Sequence, residues 1–202
     1  MSEKRYSGTW ESVHQHTVPK WYDDCKFGIF IHWGIYSVPA FAPHTWELGE
    51  VDSSEWFLDN PYAEWYYNSL NVGKGPTYEH HVKTYGENFK YEDFIPMWKA
   101  ENWDPKEWAK IFKEAGAQYV VLTTKHHDGF CLFPSKYTHF NSVEMGPKRN
   151  ITGELTQAVR DEGIRMGLYY SGLIDWQFAN DPIYNDDDLF GTASPTYAYA
   201  DY

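Results

Sequence analysis

The most chemically pointed stretch of the sequence is His126-His127-Asp128-Gly129-Phe130, which follows directly on the apolar run Gln118 to Thr124 and Lys125. Adjacent imidazoles at the end of a buried strand are poor packing groups and good hydrogen-bonding ones. In an extended backbone neighbouring side chains face opposite ways, so the pair is expected to diverge, one imidazole toward a cleft and the other toward its wall. His32-Trp33-Gly34 closes an earlier apolar run in the same manner, pairing an imidazole with an indole face. Glu64-Trp65 adds a carboxylate beside a second indole, and Tyr169 adds a phenol near the end of a third apolar run. Imidazoles, a carboxylate and a phenol bond hydroxyl groups, while aromatic faces cover C–H patches. That combination fits a neutral sugar in a pocket of aromatic walls and a few convergent polar groups.

Competing chemistries are weaker. His32, His126 and His127, with Asp128, resemble the histidine clusters of metal-dependent barrel hydrolases, since imidazole is the commonest metal-binding side chain. The sequence has no HxH on the first strand and no HExxH, and diverging histidines would not share an ion. It also has no GxSxG for a serine nucleophile, no P-loop and no GxGxxG. Ser171 has no special context beyond following two tyrosines. The pair His80-His81, among Tyr78, Glu79 and Lys83, reads as the solvated face of a polar helix.

These residues need elements to hold them. Lys26 to His32 (KFGIFIH), Gln118 to Thr124 (QYVVLTT) and Ile164 to Ser171 (IRMGLYYS) are short, near-continuous apolar runs that suit buried parallel strands. One helix precedes the second run and another precedes the third. Asp104 before Pro105 is an N-cap followed by a first-turn proline; Trp108, Ile111, Phe112 and Ala115 form a stripe that Gly116 ends. Asn150 caps a second helix, with Ile151, Leu155, Ala158 and Val159 as its stripe and Gly163 as its stop. The first 25 residues read as an irregular lead-in, and Ile35 to Asn60 as a long irregular insertion. Pro61 can open a helix through Asn68, and short helices are expected between Gly86 and Pro96. Strand-helix alternation with polar residues at strand C-terminal ends favours a parallel α/β sheet of the (β/α)8 barrel type over an open doubly wound sheet.

A complete barrel needs about 250 residues. The chain has 202, with three recognisable strands, and is read as the N-terminal part of a (β/α)8 TIM-type catalytic domain that stops before a fourth strand. Composition bounds the partners. Seventeen basic against 29 acidic residues give a net charge of −12, which disfavours nucleic acid. No run of 18 apolar residues offers a membrane span, and Met1 to Tyr6 carries no apolar export core, so a cytoplasmic protein is expected. Cys25 and Cys131 carry no CxxC spacing and read as buried thiols.

The sequence resembles the alpha-L-fucosidases of glycoside hydrolase family 29. The stretches that carry the likeness are WYDDCKFGIFIHWGIYSVPA (Trp21 to Ala40), AEWY (Ala63 to Tyr66), the run from Trp103 to Val143 that contains TTKHHDGF, and GLYYSGLIDW (Gly167 to Trp176). One departure is Asn150, where the family usually carries Asp; both cap helices about equally well. The resemblance implies a (β/α)8 domain followed by a β-sandwich absent from these residues, and release of terminal alpha-L-fucosyl groups with retention. By motif, His32, Glu64, Trp65, His126, His127 and Tyr169 would bind fucose, with no metal and no cofactor. The family's nucleophilic Asp and acid/base Glu fall beyond Tyr202, so this chain alone is expected to be inactive and to need the remainder of the barrel from downstream sequence. The expected ligand is a fucosylated oligosaccharide or glycoconjugate, the alternative is a non-catalytic fucose-binding module, and an oligomer is compatible with the sequence.

Overall fold

The computed structural model describes residues 6–46, 49–172, 174–178 and 182–190. In chain order the helices are α1 (Trp10–Val13), α2 (Lys20–Asp24), α3 (Ser53–Leu58), α4 (Tyr66–Val72), α5 (Pro76–Tyr85), α6 (Pro105–Glu114), α7 (Ile151–Asp161) and α8 (Asp186–Phe190). The strands are β1 (Gly28–Ile31), β2 (Tyr119–Lys125) and β3 (Arg165–Tyr170), and 3₁₀ turns occupy Ile35–Ser37, Ala63–Trp65 and Tyr91–Met97. The three strands form one parallel sheet in the order β1-β2-β3. With α6 between β1 and β2 and α7 between β2 and β3, this is the repeating unit of an α/β barrel.

Local chemistry explains both crossover helices. The Asp104 carboxylate accepts from the amides of Lys106 (3.0 Å) and Glu107 (3.1 Å), Pro105 starts the first turn, and Gly116 leaves α6 at φ +86°. The Asn150 side chain accepts from Gly153 N at 2.9 Å and opens α7. Ile151, Leu155, Ala158 and Val159 are all buried, against the sheet face that presents Val120 and Leu122. Burial of the Ile151, Leu155 and Val159 side chains contributes about 1.5–3 kcal/mol each. In α6 the expected stripe is displaced: Ala109 is the buried residue, Trp108 and Phe112 are half-buried, and Ile111 remains half exposed.

Several expectations need correcting. The lead-in contains α1 and α2, the insertion contains α3 and a 3₁₀ turn, and the Pro61 region begins as a 3₁₀ turn before α4. Cys131 is buried, but Cys25 is only partly covered. His81 is no solvated residue: it is buried, its Nδ1 lies 2.9 Å from Tyr66 Oη and its Nε2 lies 2.7 Å from Phe89 O. Because a carbonyl can only accept, Nε2 carries the proton and Nδ1 accepts from the phenol. Its neighbour His80 stacks on Phe41 with ring centroids 3.7 Å apart.

Among the described residues β1 and β3 each pair with β2 alone. Phe30 on one face and Leu168 and Tyr170 on the other are all more than half exposed, a distribution that closure of a barrel would cover. No helix among the described residues is long and apolar enough to cross a membrane.

Candidate functional site

Sheet register decides where the reacting side chains point. Gly28 and Phe30 of β1 lie opposite Tyr119 and Val121 of β2, which lie opposite Arg165 and Gly167 of β3; Thr123 then faces Tyr169. One face of the sheet therefore carries Phe30, Thr123 and Tyr169, with His32 one step beyond β1. Ring centroids of Phe30 lie 4.9 Å from His32 and 5.6 Å from Tyr169, and His32 lies 6.4 Å from Tyr169.

The end of β2 departs from regular pairing. A register slip sets Lys125, rather than Thr124, opposite Tyr170, on the sheet side away from Tyr169. Such irregularities re-aim side chains at strand ends. The Lys125 ammonium is enclosed there, donating to Ser171 O (2.8 Å) and Ile174 O (2.9 Å) and pairing with the Asp175 carboxylate at 3.1 Å. His126 consequently swings back to the Tyr169 side, its ring 5.4 Å from His32 and 5.7 Å from Tyr36.

The expected divergence of His126 and His127 does not occur. Their ring centroids are 4.2 Å apart, because β2 ends at Lys125 and the chain turns at once, with Gly129 N donating to His126 O at 3.1 Å. Gly129 sits at φ +82°, and a Cβ there would lie 2.2 Å from Asp175 Oδ1. His127 is held by Ser171 Oγ at 2.5 Å from its Nδ1 and by Trp176 N, which donates to His127 O. Ser171, without context in the sequence, is thus a support for His127. Asp128 does not join the histidines. Its Oδ2 accepts from Tyr91 Oη at 2.8 Å and its Oδ1 from Phe130 N at 3.1 Å, beneath the turn.

The 3₁₀ turn Ala63–Trp65 brings the remaining pair. Trp65 is buried with its ring 5.3 Å from His127 and 5.2 Å from Trp176. The Glu64 carboxylate approaches His32 and His126, one ligand atom from each of the three lying within 4.8 Å of the others. Those three residues could hold a metal ion; the set differs from the sequence-based one, since Glu64 replaces His127 and Asp128. Trp33, expected to offer its face to a ligand, packs instead against Trp98, Trp103 and Trp108 at 5.0–5.3 Å. His32, Glu64, Trp65, His126, His127 and Tyr169 therefore converge on one mouth at the C-terminal side of the sheet, with Phe30 and Tyr36 as members the sequence reading missed. Phe30 was accessible in principle from its two-residue spacing to His32 on one strand face; Tyr36 was not.

Burial sets the charge states. Burial, with His127, His32 and Lys125 adding repulsion, pushes His126 down to about 2. His127 falls to about 3 through burial, Lys125 and His32. Both imidazoles are neutral at pH 7, each with one donor and one acceptor nitrogen; His127 Nδ1 is engaged by Ser171 Oγ, which leaves its Nε2 for a ligand. Burial raises Asp128 to about 6 against the opposing bonds from Tyr91 and Phe130. Burial, then the charges of Asp128 and Glu64, keep the Tyr36 phenol protonated far above its usual range.

A parallel α/β-barrel segment whose strand ends gather neutral imidazoles, a carboxylate and aromatic rings has the arrangement of a barrel enzyme's small-molecule site. The alpha-L-fucosidase family model matches residues 1–199, and the chain belongs to that family. It is 42% identical over 205 residues to an alpha-L-fucosidase of Dictyostelium discoideum, covering 100% of this chain and 40% of the relative. Among solved structures, it is similar to the Thermotoga maritima alpha-fucosidase in complex with fucose, with 59% identity, TM-score 0.82, and coverage of 92% of this chain and 42% of that one. A Thermotoga maritima alpha-L-fucosynthase gives TM-score 0.90 at 60% identity, covering 99% of this chain and 46% of that one. The chain thus spans less than half the length of these relatives.

Proposed function

We propose that this chain supplies the fucose-holding part of a retaining exo-glycosidase that releases terminal alpha-L-fucosyl groups from oligosaccharides or glycoconjugates. The observation that carries the reading is the convergence of His32, Glu64, His126, His127 and Tyr169, beside Trp65, on one mouth. Neutral His126 and His127 exchange hydrogen bonds with ring hydroxyls, the Glu64 carboxylate accepts from another, and the rings of Tyr169 and Phe30 lie against C–H faces. The supports behind them hold this geometry before the sugar arrives: Ser171 against His127, and the Tyr91–Asp128 pair beneath the turn.

Retaining hydrolysis needs one carboxylate to attack the anomeric carbon and another to protonate the departing oxygen, about 5–5.5 Å apart. Glu64 cannot fill both roles. In this proposal the reacting pair belongs to the rest of the barrel, which follows Tyr202, with the family's β-sandwich beyond it. In this reading the protein acts in the cytoplasm, although His126 and His127, lowered to about 2 and about 3, stay unprotonated in mildly acidic compartments as well. No cofactor is required by the reaction.

The test is hydrolysis of an aryl alpha-L-fucoside, with the anomer of the released sugar followed by NMR. The full-length protein containing this chain is expected to release alpha-L-fucose first, and the 202-residue polypeptide to release none. Turnover by the 202 residues alone overturns the division of labour. Fucose binding without turnover by the full-length protein would instead identify a non-catalytic fucose-binding module.

A further inference from the structure

We infer that His32, Glu64 and His126 also form a site for a divalent transition-metal ion of the zinc type, whose occupancy excludes the sugar; the exclusion rests on the reading of this mouth as a fucose site. One ligand atom from each residue already lies within 4.8 Å of the other two. Zinc binds imidazole nitrogen and carboxylate oxygen at about 2.0–2.2 Å, so tetrahedral neighbours around it stand about 3.4 Å apart. Closing the gap takes movements of about an ångström. The exposed His32 and the half-buried Glu64 side chains have room for them, while His126 is the fixed member, 95% enclosed at 5% exposure.

The neighbours define the composition of the site. The His126 Nδ1 atom is buried with no hydrogen-bond partner among the described residues, an arrangement that a buried imidazole ordinarily avoids. His127 cannot supply Nδ1, which is engaged by Ser171 Oγ, and both Asp128 oxygens are committed to Tyr91 and Phe130. Two imidazoles and one carboxylate remain, with an open position for water. This donor set suits zinc, copper, nickel or cobalt and disfavours magnesium and calcium, which require more oxygen ligands. The atoms that would clasp the ion are those that would otherwise bond sugar hydroxyls, so each ligand displaces the other and the metal acts as a reversible inhibitor at the sugar's own subsite.

The test uses the full-length protein containing this chain, freed of metal by chelation and titrated with ZnCl2 in a calorimeter, alongside aryl alpha-L-fucoside kinetics. One saturable zinc per chain is expected, with apparent KM for the fucoside rising and kcat unchanged, and MgCl2 without effect. His32→Gln and Glu64→Gln are each expected to weaken zinc uptake by at least about tenfold, since even outer partners of metal ligands are worth about 10–100-fold. Circular dichroism establishes that both variants remain folded. No saturable uptake, or uptake that neither substitution weakens, overturns the metal site. Uptake weakened by both substitutions with no change in apparent KM sustains the metal site and overturns its overlap with the sugar. Fucoside binding lost in both variants of a protein that takes up no zinc does the reverse.

Discussion

Removing the phenol that holds Asp128 should loosen the His126-His127 turn in a pH-dependent way. Tyr91 is buried, its Oη donates to Asp128 Oδ2 at 2.8 Å, and its ring stacks on Tyr67 with centroids 4.4 Å apart. Asp128 is raised from 3.8 to about 6, with burial the main cause and the Tyr91 bond the largest opposing one. A folded-state pKa above the unfolded value means stability that is fully present at low pH and lost as pH rises through about 6; two units correspond to about 3 kcal/mol. Tyr91→Phe keeps the ring and deletes the donor, which raises the carboxyl further. At pH 7.5 the lost bond involves an ionised acceptor and should cost about 1.5–3 kcal/mol, while at pH 5.0, with the carboxyl protonated, the loss should be about 0.5–1.5 kcal/mol. Denaturant unfolding of the full-length protein at both pH values measures the difference. Tyr67→Phe, which removes a 3.1 Å bond to Glu92, serves as the control and should show little dependence on pH over the same range. Fucose affinity measured on Tyr91→Phe should fall about tenfold, because small displacements of positioned groups are costly. Equal stability losses at both pH values would refute the assignment of Asp128 as a carboxylate strained by burial and relieved by Tyr91.

Gly129→Ala forces a Cβ into the Asp175 carboxylate at a left-handed backbone position. It should destabilise the protein by about 2 kcal/mol or more by thermal or denaturant unfolding, whereas Gly116→Ala, which meets no atom within 4 Å, should cost less. Acid should also unfold the protein through His126 and His127. Their depressed folded-state values, about 2 and about 3, mean stability present above the unfolded value of 6.5 and lost as pH falls below it. Asp128 takes up one proton in the folded state below about 6, opposing the two that the unfolded histidines bind. The balance of one proton gives a loss of about 1.4 kcal/mol per pH unit between pH 6 and 4, and a flat stability profile across that interval would contradict it.

Much of the fold could be read from sequence because its determinants are local. Asp104-Pro105 and Asn150 mark helix starts through bonds spanning two or three residues, and the apolar runs around Val120 and Met166 alternate with those helices at the spacing of a parallel sheet. The site's members were legible as residue types at strand ends. Their mutual geometry was not. The approach of His126 to His127 depends on a register slip opposite Tyr170 and on Ser171 and Asp175, more than 40 residues away in sequence. His81 reads as polar surface until Tyr66 and Phe89 fold around it, and Trp33 reads as a ligand platform until three other indoles surround it. In each case a side chain of ambiguous character is assigned its role by partners that only tertiary structure supplies.

The most direct measurement is a crystal structure of the full-length protein soaked with L-fucose. The account predicts a sugar at the C-terminal mouth of the sheet, with ring hydroxyls within about 3.2 Å of His32, Glu64, His126 and His127 and a C–H face against Tyr169. A sugar bound elsewhere, or one that leaves these side chains without contact, would contradict it.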